Sequence, residues 1–236
     1  MSEGFHSQTH QIAEGAETIE SLRAKNEALQ VQVVTLEAEL VAERATKEDV
    51  LKKLDEAGLD LLTSLPLRRR FETSIAELFA HPLGPNEKLR THLSERLALL
   101  FIDLDHFKDL NDRHGHPTGD RALHDVAHAL KNGIRPTTDF IARWGGEEFV
   151  VILPDVSEVD AAARADVLRQ SIANLDIKND NGERIQVTAT FGVAAMENDG
   201  SATLQELTKR ADSALYVGKN KEGGRDCVVA VSSLRE

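Results

Sequence analysis

The chain has 236 residues, with 28 Lys and Arg against 40 Asp and Glu, a formal net charge of −12, and 29% charged but only 4% aromatic residues. That balance excludes a nucleic-acid backbone as partner, which needs a basic face. It admits a nucleotide whose triphosphate reaches carboxylates through divalent cations. The one cysteine, Cys227, excludes a disulfide framework or a Cys-rich zinc site within one chain. No apolar run reaches the roughly 18 residues of a membrane span. The polar first 11 residues lack the apolar segment of a secretory signal. A reducing, cytoplasmic setting is therefore expected.

Residues 12–61 read as one long helix. The stretch has no proline, and Gly58 is its only glycine after Gly15. One seam position holds Ile12, Ile19, Asn26, Val33, Leu40, Lys47, Leu54 and Leu61, and the other holds Gly15, Leu22, Leu29, Leu36, Glu43, Val50 and Ala57. This is a coiled-coil pattern. Alone in water such a stripe would stay exposed, so a partner helix is implied, most simply from a second copy. Asn26 can pair with its symmetry mate and fix a parallel register. Glu43 and Lys47 put charges into the seam one turn apart. Either they snorkel outward from a passive stalk, the simpler reading, or they mark a segment that changes register under a signal.

From about Leu59 short apolar runs alternate with amphipathic helices, an α/β organisation. Pro82, Gly84, Pro85 and Asn86 mark a loop. Residues 97–104 read as a buried strand and 118–130 as a helix. Residues 140–144 and 149–153 read as two strands joined by a tight turn at Gly145-Gly146. Residues 160–175 form a helix with Ala161, Ala165, Leu168 and Ile172 on one face. A β-rich run (186–195), a helix (203–219) and a last strand (227–231) follow. The organisation is a polar segment (1–11), a dimerisation helix (12–58) and a domain (59–236).

Asp103 and Asp105 end a very apolar strand, where carboxylates are costly unless paired or metal-bound. The two are expected on opposite faces, so that one of them faces a given site. Glu147-Glu148 form a second acidic pair. If their hairpin lies beside the Asp103 strand, one carboxylate from each element can hold Mg²⁺, as two-metal nucleotidyl transfer requires. Gly145 and Gly146 let a phosphate or base approach backbone without a Cβ. Phe107 to Asp112 enters a helix whose free N–H groups can hold phosphate oxygens. Lys108 can neutralise charge on a transferring phosphoryl group. Asn111 and Asp120 can read the donor-rich edge of guanine.

These residues stand in one order: Phe-Ile-Asp-Leu-Asp-His-Phe-Lys-Asp-Leu-Asn-Asp from Phe101, Gly119-Asp120, then Arg143-Trp-Gly-Gly-Glu-Glu-Phe-Val150. The order resembles the GGDEF family of diguanylate cyclases. Asp60-Leu-Leu-Thr-Ser-Leu-Pro-Leu-Arg-Arg69 resembles that family's opening motif, and Ala211-Asp-Ser-Ala-Leu-Tyr-Val-Gly-Lys219 its late helix. The resemblance covers about 59–231. It implies an α+β fold: a palm-like, antiparallel-rich sheet covered by helices, as in nucleotide cyclases. It implies that Asp103, Glu147 and the Leu104 carbonyl bind Mg²⁺ or Mn²⁺. Glu147, with Glu148 beside it, becomes the candidate base for a 3′-hydroxyl, and Lys108 steadies the transition state. Phe107, Gly145 and Gly146 line the substrate, Asn111 and Asp120 read guanine, and Lys219 and Arg225 hold the terminal phosphates. The implied reaction joins two GTP into cyclic di-GMP with release of pyrophosphate. Each domain carries one GTP, so a homodimer is implied, held and oriented by the parallel coiled coil. An upstream sensor domain is a further partner that such an arrangement would accommodate.

The sequence departs from the family in three places. Ser64 and Leu67 stand where glycine and asparagine are usual, so a changed turn or dimer contact is expected. The spacing from Lys219 to Arg225 is long, which leaves Lys221 as an alternative phosphate ligand. In the family's Arg-x-x-Asp product-inhibition site, Asp139 is in place but Pro136 holds the arginine position. Proline offers no donor, so feedback is expected to be weak or absent. Arg135 reaching around it, with Arg169 as the other half, is the alternative. His106, His114 and His116 read as loop residues, and Cys227 as a small core residue. Two other functions stay open. One is an inactive module that binds GTP or cyclic di-GMP. The other is an enzyme making mixed adenine–guanine products, against which Asp120 stands.

Overall fold

The computed structural model describes residues 3–80, 96–197, 203–220 and 224–234, with side chains of the first helix from residue 21. The loop expected around Pro82–Pro85 and Lys221 lie outside the described residues. The chain divides into two compact units, Met1–Lys53 and Leu54–Glu236.

The first unit is made by helix α1, Glu3–Glu56, whose last turn is counted with the second. It begins within the polar segment that the reading kept apart, since nothing there breaks a helix. It ends before Leu61, because Gly58 turns left-handed at φ 64° and Leu61 falls in the following turn. Leu22, Leu29, Val33, Leu36, Leu40 and Val50 are about half exposed, and Val31, Val34 and Val41 are exposed off the seam. The surface of α1 is therefore not cleanly divided into an apolar and a polar face.

The second unit is built on a five-stranded sheet, order β2-β3-β1-β6-β7. The strands are β1 (Arg96–Leu104), β2 (Phe140–Gly145), β3 (Glu148–Pro154), β6 (Ala189–Glu197) and β7 (Val228–Ala230). A separate hairpin pairs β4 (Ile177–Lys178) with β5 (Arg184–Ile185). All main-sheet pairings are antiparallel except β6–β7. Central β1 explains its unbroken apolar run by being covered on both faces. Ala98, Leu100, Ile102 and Leu104 join one core, while Leu97, Leu99 and Phe101 join the other.

The first core packs α3 (Phe107–His114), α4 (His116–Gly133) and α5 (Glu158–Ala173) through Leu110, Leu123, Val126, Ala161, Leu168 and Ile172. The second packs α2 (Arg68–Ala80) and α6 (Leu204–Asn220) through Phe71, Ile75, Leu207, Ala211 and Leu215. Gly192 lets α6 close on β6: a Cβ there would lie 2.0 Å from the Ala211 carbonyl oxygen. This is a mixed-sheet α+β fold with helices on both faces, as the resemblance implies.

Some boundaries differ from the reading. Helix α2 had not been anticipated, nor had the β4–β5 hairpin. The β-rich run becomes strand only from Ala189. His114 ends α3 and His116 opens α4, so neither is a loop residue. His106 precedes α3 in a left-handed conformation, φ 54°. Among the described residues no helix is long and apolar enough to cross a membrane.

Candidate active site

The site forms where β1 ends beside the β2–β3 hairpin. Register puts Asp103 directly opposite Glu148 on β3 and opposite Thr190 on β6. Opposed residues share a face, so two carboxylates stand side by side. The turn lies one residue later than expected: Gly145 pairs with Glu148, and Gly146-Glu147 form the two-residue loop. A register irregularity between Arg143 and Gly145 produces this offset. The backbone N–H of Leu104 donates to the Glu147 carbonyl at 3.3 Å, which fastens the turn to the end of β1.

The charge density is visible in the titration behaviour. Burial pushes the Asp103 carboxyl up, against the pull of the Lys219 ammonium, and Glu147 and Asp105 add to the rise. Burial also raises Glu148, and the negative charges of Asp103, Asp212 and Glu147 raise it further. Lys219, near the end of α6, places its ammonium directly against Asp103. The cluster already carries one cation and is still short of positive charge. Among the described residues no three His, Cys, Asp or Glu side chains converge as a ready-made metal group.

The hairpin is held from the opening motif. The Arg143 guanidinium donates to both oxygens of Asp60 at 2.9 Å, and to the Gly146 carbonyl at 3.1 Å and 2.7 Å. The Arg143 N–H donates to the Pro66 carbonyl at 3.0 Å. Asp60 also accepts from the Thr63 N–H at 2.8 Å and the Thr63 hydroxyl at 2.6 Å. Ser64 adopts φ 56° inside this turn. This is the left-handed region that favours glycine, so the serine backbone is strained here. Sequence reasoning missed Arg143 as a turn anchor. Its place two residues before the glycine pair was the available signal.

On the other side, α3 starts without a side-chain cap, and Lys108 in its first turn is exposed. Phe107 is buried. Asn111 on α3 meets α4 at Gly119, where a Cβ would lie 1.9 Å from Asn111 Oδ1. That oxygen is buried without a hydrogen-bond donor among the described residues. Asp120, the next residue, is exposed. A Cβ on Gly146 would meet nothing within 4 Å, so packing does not explain that glycine.

Lys219 and Arg225 are brought together, because the Arg225 N–H donates to the carbonyl of Gly218 at 3.0 Å. Asp105 is not sent to the opposite face as expected: residues i and i+2 share one side of a strand, and its charge adds to the rise at Asp103. It is buried and accepts from the hydroxyls of Thr188 and Thr190 at 2.9 Å and 2.7 Å.

Of the residues weighed for an inhibitory site, Arg135 and Asp139 adjoin through the backbone, while Arg169 is engaged elsewhere. Asp139 is buried, accepts from the Arg135 N–H at 2.9 Å, and pairs with Arg164. Arg169 instead pairs with Asp166 at 2.8 Å and Asp226 at 2.6 Å. Cys227 is half-buried, with its thiol 3.8 Å from the Gly218 carbonyl.

The family model described as diguanylate cyclase, GGDEF domain, matches residues 57–225. The chain belongs to the GGDEF family. It is 34% identical over 194 residues to Diguanylate cyclase DosC of Escherichia coli (strain K12), covering 82% of this chain and 38% of that protein. The chain thus spans under half the length of the curated relatives it matches. Among solved structures, it resembles the coiled coil and GGDEF domain of DgcB from Caulobacter crescentus in complex with c-di-GMP. That match has 29% identity and a TM-score of 0.63, covering 83% of this chain and 98% of that one. Diguanylate cyclase SiaD of Pseudomonas aeruginosa, in complex with its activator SiaC, matches at 28% identity and a TM-score of 0.62, covering 97% of this chain and 86% of that one.

Proposed function

We propose that this chain is an active diguanylate cyclase, in which two copies each hold one GTP and join them into cyclic di-GMP. The observation that carries this reading is the intact acidic cluster: Asp103 opposite Glu148, with Glu147 in the adjoining turn. In each of two equivalent steps, the 3′-hydroxyl oxygen of one GTP attacks the α-phosphorus of the other. A P–O bond forms, the bond to pyrophosphate breaks, and the hydroxyl proton passes to a carboxylate base, Glu147 with Glu148 beside it.

Asp103, Glu147 and the Leu104 carbonyl would hold Mg²⁺ or Mn²⁺. The fit is chemical: hard oxygen donors suit these cations, and the raised carboxyls with Lys219 against Asp103 mark a place that takes positive charge. When bound, the metal would supply Lewis-acid stabilisation of the α-phosphate. Lys108 would face the developing phosphoryl charge, and the uncapped start of α3 would offer N–H groups to phosphate oxygens. The buried Asn111 oxygen lacks a donor, which guanine N–H groups would supply, with Asp120 beside it. Gly145 and Gly146 would let the nucleotide lie against backbone, Phe107 would back it, and Lys219 and Arg225 would grip the terminal phosphates.

Helix α1 is assigned as the dimerisation element and the rest of the chain as the catalytic domain. The apolar seam from Leu22 to Val50 supports a parallel homodimer. Feedback by product is assigned as weak, since Asp139 is taken by Arg164 and the Arg135 N–H, Pro136 offers no donor, and Arg169 is engaged elsewhere.

The test is product analysis with GTP and Mg²⁺ for the wild type and Glu147→Ala. Cyclic di-GMP from the wild type and none from a folded Glu147→Ala is expected. Unchanged turnover in the variant would remove Glu147 from the mechanism. No product from the folded wild type would favour an inactive nucleotide-binding module.

A further inference from the structure

Arg225 and Asp226 are consecutive non-glycine residues in the left-handed region, with φ 75° and φ 44°. Side chains rarely adopt this conformation, and it persists where the surroundings over-determine it. Here the surroundings are specific. The Asp226 N–H donates to Asp105 Oδ2 at 2.8 Å. The Asp226 carboxylate accepts from Arg169 Nη1 at 2.6 Å, and Arg169 Nε is fixed in turn by Asp166 at 2.8 Å. On the flanks, the Arg225 N–H donates to the Gly218 carbonyl at 3.0 Å, and the Phe191 N–H to the Cys227 carbonyl at 2.9 Å.

The Asp105 side chain is only 1% exposed, and its oxygens take three strong donors, two hydroxyls and this N–H. The Arg225 guanidinium lies 3.8 Å from Asp105, too far for a hydrogen bond, and its side chain is 36% exposed. Arg225 is therefore held by its backbone, next to Lys219, while its guanidinium makes no hydrogen bond among the described residues.

We propose that Asp105, Asp226 and Arg169 form a clamp that positions Arg225 for the terminal phosphates of GTP, making all three positioning residues rather than catalytic ones. A fixed fork loses less freedom on engaging a bidentate oxyanion than a mobile one. The inference rests on the phosphate-gripping role assigned to Arg225 above. It gives Arg169 a role other than an inhibitory one, and gives a role to Asp105, whose carboxylate is taken up by the two threonine hydroxyls and the Asp226 N–H.

The experiment measures binding of 3′-deoxy-GTP, which cannot be condensed, and of GMP, which lacks the terminal phosphates. The variants are Arg169→Met, Asp226→Gly and Arg225→Ala, alone and combined, in the full chain. Glycine accepts the left-handed backbone without strain, so Asp226→Gly removes the side-chain half of the clamp without removing a fold requirement, and its Tm should not fall. Each clamp variant is expected to weaken 3′-deoxy-GTP about fivefold, within the coupling seen between contacting residues. GMP binding should hold, and neither variant should add a loss in the Arg225→Ala background. The same variants should raise KM for GTP more than they lower kcat. Equal losses for both nucleotides, no loss, or losses that add to Arg225→Ala would overturn the clamp. If Arg225→Ala leaves 3′-deoxy-GTP binding intact, the phosphate role falls and takes the clamp with it. If Arg225→Ala weakens binding and the clamp variants do not, the clamp alone falls.

Discussion

Replacing Arg143 with methionine tests how the catalytic turn is held. The guanidinium makes four donations, two to Asp60 and two to the Gly146 carbonyl, and the side chains of the ion pair are only 15% and 16% exposed. Removing one partner of a buried pair typically costs about 3–5 kcal/mol. Asp60 would keep its two bonds from Thr63 and some access to water, so a loss of about 2–3 kcal/mol is expected. For a domain of this size that lowers Tm by roughly 5–10 °C. The effect should depend on pH in a defined direction. Burial pushes the Asp60 carboxyl up, but hydrogen bonds from Thr63 and Arg143 outweigh it, so the folded-state pKa lies below the ordinary value. The stabilisation is then complete above the unfolded carboxylate pKa of about 3.9 and is lost as pH falls through the lower folded value. Thermal melts of wild type and variant should differ fully at pH 7 and converge below about pH 4. An undiminished gap at low pH, or no gap at pH 7, would refute an ionic anchor. Cyclic di-GMP formation should fall on the order of tenfold, because Gly146 loses its only described side-chain donors beside Glu147.

Three further outcomes follow from the geometry. Ser64→Gly should raise stability by about 0.5–1 kcal/mol, since glycine relieves φ 56° at the price of a freer unfolded chain; chemical denaturation at pH 7 checks this. Gly119→Ala should displace the Asn111 amide, because the new Cβ would lie 1.9 Å from Oδ1. KM for GTP should then rise while Tm changes little, and an unchanged KM would remove Asn111 from base reading. Glu148→Gln should raise Tm in chelator at pH 7, because burial and nearby carboxylates lift the Glu148 carboxyl above its ordinary value. A raised carboxyl lowers stability progressively from the unfolded pKa up to the folded one, so the gain should vanish at low pH and shrink when Mg²⁺ is added.

Much of the fold was legible because burial and spacing agree in the sequence. The run at 97–104 is apolar at every position, and β1 is covered on both faces. Helices α4 and α6 carry clear apolar faces, whereas α5 buries Ala161, Ala165, Leu168 and Ile172 but also exposes Val159 and Val167. The β4 and β5 strands have two residues each, too short for any period. Helix α2 lay under the opening motif, which drew the reading to its turn rather than to Phe71 and Ile75. The heptad count ran past Glu56 because Leu61 keeps the spacing, although Gly58 breaks the helix. At the site, residue order identified the acidic positions, but register decided that Glu148 rather than Glu147 opposes Asp103. The anchor at Arg143 and the clamp around Asp226 join residues 83 and 57 positions apart, and no local pattern announces such pairs.

The most direct measurement incubates the full chain with GTP and Mg²⁺ and follows cyclic di-GMP and pyrophosphate together over a dilution series. Two pyrophosphates per cyclic di-GMP are expected, with none of either product from Glu147→Ala. GTP that is bound but never converted, by a folded wild type over the whole series, would contradict the assignment of an active diguanylate cyclase.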